Sequence, residues 1–189
     1  MRNVIRTLMV VTIVTFCGFT WNHYESLAQD NLPKKPDFEF NNNKQFLSNV
    51  KQCVDYVYFY NEVKEVNLEL LLAQAALESG WGTSRFATEG NNLFGIRTWK
   101  KDVAHLLPQG VEKWPGWGVK VFASKCDSVK YYVELLNNHS AYEEFRELRK
   151  TTNDSMKLIK TLDKFSTTVD YDKRVARMIL RIRKLEEDK

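Results

Sequence analysis

The sequence predicts a mainly helical α+β domain, and three patterns carry that expectation. Apolar residues recur at three- and four-residue steps from about residue 43 onward, the period of amphipathic helices. Between Gly80 and Phe122 this period is lost among Gly82, Gly90, Gly95, Gly110, Gly116 and Gly118 with Pro108 and Pro115, a density that suits loops and short strands. The composition of the 189 residues, 43% hydrophobic and 13% aromatic, is that of a chain able to bury a core rather than of a disordered one.

Taken in order, the chain opens with Arg2 and Arg6 ahead of a charge-free run from Leu8 to Trp21, the order of the basic and apolar regions of an export signal. Residues 1–29 are therefore expected to be a signal peptide or an uncleaved membrane anchor. The run is shorter than the ~20 residues of a spanning helix, and no Ala-x-Ala-like site is obvious around Ser26-Leu27-Ala28. Cys17 lacks the small residue that a lipidation signal places before its cysteine. Residues 30–42, with Pro33, Pro36 and Asn41-Asn42, read as a linker ending in a helix cap. The folded domain is expected over 43–189.

Phe46, Val50, Cys53, Val54 and Val57 predict a first helix over about 43–61. Asn67 is the expected N-cap of a second, nearly all-apolar helix that Gly80 stops. The Gly-rich stretch is expected to form a small β-lobe. Ser124 and Asp127 resemble a capping box for a third helix ending near Asn137 or Asn138. Shorter helices are expected over 141–149 and 156–165, and a last one over 171–185. No internal repeat is present, and one domain accounts for the length.

Lys and Arg number 28 against 24 Asp and Glu, a formal charge of +4 without the dense basic runs of nucleic-acid binders. Neither His105 nor His139 has a metal-ligand spacing, and no phosphate loop or nucleophile elbow occurs. No metal or cofactor is expected. Cys53 and Cys126 are either a disulfide or two buried thiols, and the reading that needs no proximity, buried thiols, is favoured.

Glu78 is the anomaly. It follows Leu77 at the C-terminal end of the apolar helix, where the helix dipole and desolvation both oppose ionisation. A carboxyl kept protonated in this way is what a general acid requires to protonate a glycosidic oxygen. By position alone, a solubilising surface glutamate explains it equally well.

The surrounding segment Ala73-Gln74-Ala75-Ala76-Leu77-Glu78-Ser79-Gly80-Trp81-Gly82-Thr83-Ser84-Arg85-Phe86-Ala87, followed by Gly90-Asn91-Asn92-Leu93-Phe94-Gly95-Ile96, changes that balance. It resembles the bacterial peptidoglycan β-N-acetylglucosaminidases of the autolysin and flagellar-muramidase type, most of all their Bax-like branch. Phe122, Ser128-Val129, Leu136-Asn137 and Ala141-Tyr142-x-x-Phe145-Arg146-x-x-Arg149 extend the resemblance downstream. It implies a lysozyme-like fold, a glycoside hydrolase acting on peptidoglycan glycan strands, and Glu78 as the catalytic acid. Ser79, Trp81, Asn91, Asn92, Phe94 and Gly95 are implied at the turn and cleft wall, and Asn91 or Asn92 has the chemistry to bond an N-acetyl group.

A second catalytic group is expected from the β-lobe or from the substrate's own acetamide. Glu112 is the first candidate and Asp102 the second. Of the tyrosines that the resemblance brings to the cleft, Tyr142 is favoured over Tyr171, because the stretch Phe165-Ser166-Thr167-Thr168 before Tyr171 has Phe165 where relatives carry a tyrosine. Trp99, Trp114 and Trp117 either stack on sugars or form the lobe's own core. The expected partner is the glycan strand, in the periplasm or cell envelope, with no nucleic acid and with the chain acting as a monomer. Two other readings share these features: a lytic transglycosylase or muramidase, and a non-catalytic wall-binding scaffold.

Overall fold

Asn42 starts the first helix by accepting the Gln45 N–H on its side-chain oxygen at 2.9 Å, satisfying one of the donors a helix start leaves free. That helix, α1 (Asn43–Tyr60), buries Phe46, Leu47, Val50, Cys53, Val54 and Val57 along one stripe. Asn67 does the same for α2 (Leu68–Ser79), accepting from Leu70 N–H at 2.8 Å, and Gly80 closes it in the left-handed conformation. The computed structural model describes residues 32–188, so the targeting segment with Cys17 lies outside the described residues.

After α2 come a single turn, α3 (Arg85–Thr88), and a three-stranded antiparallel sheet of β1 (Arg97–Thr98), β2 (His105–Leu106) and β3 (Gly118–Lys120). β3 is the central strand, pairing Arg97 with Val119 and His105 with Lys120. This is the β-lobe expected from the glycines. The third expected helix is α4 (Lys125–Asn138), with Ser124 accepting from Asp127 N–H and donating to its carboxylate at 2.7 Å.

The C-terminal third is more broken than its periodicity suggests. A 3₁₀ turn (Ser140–Tyr142) precedes α5 (Glu143–Leu148), and the helix expected over 156–165 splits into α6 (Ser155–Leu158) and two 3₁₀ turns, Ile159–Thr161 and Asp163–Phe165. The apolar spacing is shared by both helix types, and the tighter turn closes over so few residues that spacing does not separate them. The last helix is α7 (Tyr171–Glu187).

Within the unit from residue 34 onward, α2 packs chiefly on α7, while α1 lies between α4 and α2. α2 is buried nearly all round: Leu70, Leu71, Leu72, Ala73, Ala75 and Ala76 are each no more than 3% exposed. Its small residues admit the neighbouring helices closely. Glu69 in its first turn receives a two-pronged ion pair from Arg183 of α7, at 2.6 and 2.8 Å, and a hydrogen bond from Ser155. The start of α2 is thereby tied to both α6 and α7.

Two features depart from the sequence reading. Cys53 of α1 and Cys126 of α4 form a disulfide, their Cα atoms 4.8 Å apart, instead of standing as separate thiols. The packing of α1 on α4 creates this proximity, which a separation of 73 residues does not disclose. The polar stretch before α1 is also docked: Phe38 and Phe40 pack edge-on against Phe46, which is fully buried. Gly82 makes room for this cluster, since a β-carbon there would stand 2.8 Å from the Phe46 ring and 2.9 Å from Phe40. Truncating Phe46 to alanine would cost about 3–5 kcal/mol, as for other large core aromatics.

Candidate active site

The cleft begins where α2 ends. Leu77 and Glu78 are the first half-buried residues after seven consecutive buried ones, Leu70 to Ala76, so Glu78 emerges from the core at the last turn. Burial is the main influence on its carboxyl and raises the pKa above the ordinary glutamate value. The Tyr171 hydroxyl, then the Arg174 and Arg97 guanidinium groups, pull the other way. The absence of any basic residue in the last turn of α2 leaves the carboxyl at the negative end of the dipole without a local counter-charge on its own helix.

Glu78 lies in a cleft of about 550 Å³ that β1 and its flanks, α4, and the 140–142 and 163–168 segments enclose. Phe94, Gly95, Tyr142 and Phe165 line it together with Arg97, Lys164 and Trp99. Among the described lining residues Glu78 is the one acid, facing two cations and a row of rings. Trp99 stands 71% exposed at this rim, a large apolar plane offered to solvent. Arg146 donates to the carbonyls of Leu136 and His139, at 3.2 and 2.7 Å, and so fixes the end of α4 where His139 meets the cleft.

The two tyrosines take different places. Tyr142 is nearly buried in the cleft wall, its hydroxyl pushed up to about 12 by burial, with Asp163 adding to the shift. Tyr171, the less favoured in the sequence, is the one that acts on Glu78; burial and the Glu78 charge push its hydroxyl far above the usual range. Phe165 stacks on Tyr171 with rings 6.0 Å apart and 15° between planes.

Of the implied substrate-binding residues, Phe94 and Gly95 line the cleft and the others do not. Ser79 donates to the Ala75 carbonyl at 2.5 Å and accepts from Gly82 N–H at 2.7 Å, holding the turn. Trp81 packs on Phe46, with Arg181 over its ring at 5.0 Å. Asn91 donates to the Phe122 carbonyl at 3.0 Å. Asn92, 1% exposed, donates to the carbonyls of Ile96 and Lys120 and accepts from the N–H groups of Phe94 and Ile96. That knot joins the loop carrying Phe94 and Gly95 to the sheet.

In the lobe, Arg97 lies over the Trp117 ring at 4.3 Å, and Trp114 meets His105 edge-on at 4.5 Å. These two tryptophans are engaged within the lobe, while Trp99 faces the cleft. Glu112 and Asp102 are both exposed lobe residues outside the cleft lining. No group of three or more potential metal ligands occurs among the described residues.

The family model described as mannosyl-glycoprotein endo-beta-N-acetylglucosaminidase matches residues 54–184, well over half of the chain. The chain belongs to this glucosaminidase family. Its fold is that of two solved structures: the catalytic domain of the autolysin Auto from Listeria monocytogenes (TM-score 0.54, 20% identity, 88% of this chain and 97% of that one) and the glycoside hydrolase domain of FlgJ from Salmonella typhimurium (TM-score 0.55, 23% identity, 78% and 92%). In sequence the chain is 41% identical over 80 residues to the protein bax of Escherichia coli (42% of this chain, 27% of that one). It is 26% identical over 188 residues to the peptidoglycan hydrolase FlgJ of Salmonella typhimurium (89% and 58%). The chain thus spans between about a quarter and three fifths of the length of these curated relatives.

Two residues beside the acid carried no expected role in the sequence. Gln74, part of the motif, and Tyr132 of α4 are both fully buried, with their polar atoms hydrogen-bonded toward Tyr171. The available signal was Gln74 itself, a lone amide in a run of leucines and alanines, one helical turn before Glu78.

Proposed function

We propose that this glucosaminidase hydrolyses the β-1,4 bond between N-acetylglucosamine and N-acetylmuramic acid in peptidoglycan, with Glu78 as the general acid. The observation that carries the reading is a single half-buried carboxyl, raised in pKa by burial, at the base of an open cleft walled by rings and cations. Burial that favours the protonated form suits a carboxyl that donates its proton to the leaving oxygen. Arg97 and Arg174 then face the carboxylate that remains.

The glycan class is supported by the family and by relatives described as peptidoglycan hydrolases. The cleft adds a physical reason, because Arg97 and Lys164 suit a strand that carries carboxylates on its muramyl residues and peptides. Tyr142 in the wall and Trp99 at the rim supply surfaces for sugar rings. Support for the positive anomeric centre comes from the substrate's acetamide or from Glu112, whose exposed position requires the lobe to bring it inward during turnover. Ser79, Trp81, Asn91 and Asn92 act by shaping the turn and wall. The charge order of residues 1–21 supports export to the cell envelope. Among the described residues no helix is long and apolar enough to cross a membrane.

The test is digestion of purified sacculi by the wild type and by Glu78→Gln, with mass spectrometry of the fragments. Reducing N-acetylglucosamine ends are expected from the wild type, with a loss of at least 10²–10⁴-fold, roughly, in the variant. Anhydromuramyl ends, or an undiminished rate in a folded Glu78→Gln protein, would overturn the proposal.

A further inference from the structure

Gln74 lies one turn before Glu78 on α2, with no exposure, at a position an apolar helix would give to leucine. Both ends of its amide are bonded. The Tyr132 hydroxyl of α4 donates to Oε1 at 2.5 Å, and Nε2 donates to the Tyr171 hydroxyl of α7 at 2.8 Å. The Tyr171 oxygen thus accepts from Gln74, which leaves its own hydrogen for the Glu78 carboxyl, the group on which this hydroxyl acts. Both observed donors, Tyr132 and Gln74, point the same way, toward Tyr171.

Burying an amide and two phenols is unfavourable unless each is bonded, and a leucine at 74 with two phenylalanines would fill the same space without that requirement. Packing alone therefore does not account for the three polar groups. The rings are held from the side: Phe94 stacks on Tyr132 at 4.2 Å with 14° between planes, and Phe165 stacks on Tyr171.

We propose that Tyr132 and Gln74 are positioning residues for the acid: acting through Tyr171, they keep a hydrogen-bond donor aimed at Glu78 and so set how readily its carboxyl releases a proton. The inference rests on the reading of Glu78 as the general acid. Tyr132 fixes which end of the Gln74 amide faces Tyr171, and Gln74 in turn fixes which way the Tyr171 hydrogen points. A donor on the carboxyl favours its ionised form and counters the burial that favours the protonated one. Arg97 and Arg174 act on Glu78 in the same direction as the donor. Burial and the donor thus act on the acid in opposite directions, and a linked series of bonds strengthens as charge develops at its end.

The experiment follows the Glu78 carboxyl directly by carbon-13 NMR titration in the wild type, Tyr132→Phe, Gln74→Met, Tyr171→Phe and Tyr132→Phe/Tyr171→Phe. The pH profile of kcat/KM on sacculi is measured in parallel, with folding checked by thermal melts. Tyr132→Phe and Gln74→Met are each expected to move the Glu78 midpoint and the alkaline limb upward by roughly half a pH unit or more. The double variant is expected to go no further than Tyr171→Phe alone. An unchanged midpoint in Tyr132→Phe, or the same increment with Tyr171 absent, would overturn the proposal. If Gln74→Met does not fold, Tyr132→Phe, which removes one oxygen, decides alone. A shifted midpoint together with full activity of Glu78→Gln would sink the reading of Glu78 while leaving the series intact.

Discussion

A β-carbon on Gly95 would stand 3.6 Å from Oε2 of Glu78. The backbone there is left-handed, with φ +62°, and the loop closes directly beside the acid. Alanine at this position meets a strained conformation and occupies space next to the carboxyl. Gly95→Ala is expected to lose about 1–2 kcal/mol in urea unfolding and to lose more in kcat/KM than its stability explains. Wild-type turnover by the folded variant would show that the space beside Glu78 is not used by the glycan.

The pH dependence of stability has opposite signs at the two ends of α2. Burial raises the Glu78 pKa in the folded state, so its contribution is fully present below the unfolded pKa and is lost as pH rises through the folded one. Glutamine imitates the protonated form at every pH. Glu78→Gln is expected to melt with the wild type in acid and above it at neutral and higher pH. Calorimetry across that range checks the crossover.

Glu69 behaves the other way. Its hydrogen-bonded pairing with Arg183 lowers its pKa, so its contribution is present above the unfolded value and disappears as pH falls through the folded value. Glu69→Gln is expected to melt below the wild type at neutral pH and to converge with it in acid. High salt should shrink the difference, because the pair is partly exposed.

The disulfide between Cys53 and Cys126 closes a long loop and joins α1 to α4. Replacing both cysteines with alanine is expected to cost about 2–4 kcal/mol of stability. Melting with and without reductant is the measurement, and a reductant-insensitive melt would show that the pair does not form in solution.

Trp99 is expected to carry affinity and little stability. With most of its surface in water, Trp99→Ala should leave the melting temperature nearly unchanged. Its loss should weaken glycan binding by about 0.5–1.5 kcal/mol, a factor of roughly two to ten, as for other aromatic contacts. Titration with a soluble glycan fragment reads this as a rise in Kd.

Much of the frame was legible because caps and stops are local chemistry. Asn42, Asn67, Gly80 and Ser124 sit where their side chains or backbone freedom predicted helix ends. The site was less legible for a physical reason. A short polar motif looks the same whether it bonds a ligand or its own backbone, and Ser79, Asn91 and Asn92 all do the latter. The pairing of Cys53 with Cys126 and the series from Tyr132 through Gln74 to Tyr171 join residues far apart in sequence, so they exist only once the helices pack. The break into 3₁₀ turns after Ser155 was hidden because both helix types share the same apolar spacing.

The sheet that carries Arg97 has strands of only two and three residues, whereas the helices behind Glu78 are sewn together by core packing, an ion pair and a disulfide. The two sides of the cleft therefore live on different clocks. Amide hydrogens of the lobe will exchange with solvent through small local openings, and a protease will cut between residues 99 and 117 before it touches α2 or α7. A long, stiff polymer can lie down against the wall that gives, while the carboxyl meeting it stays fixed to the wall that does not.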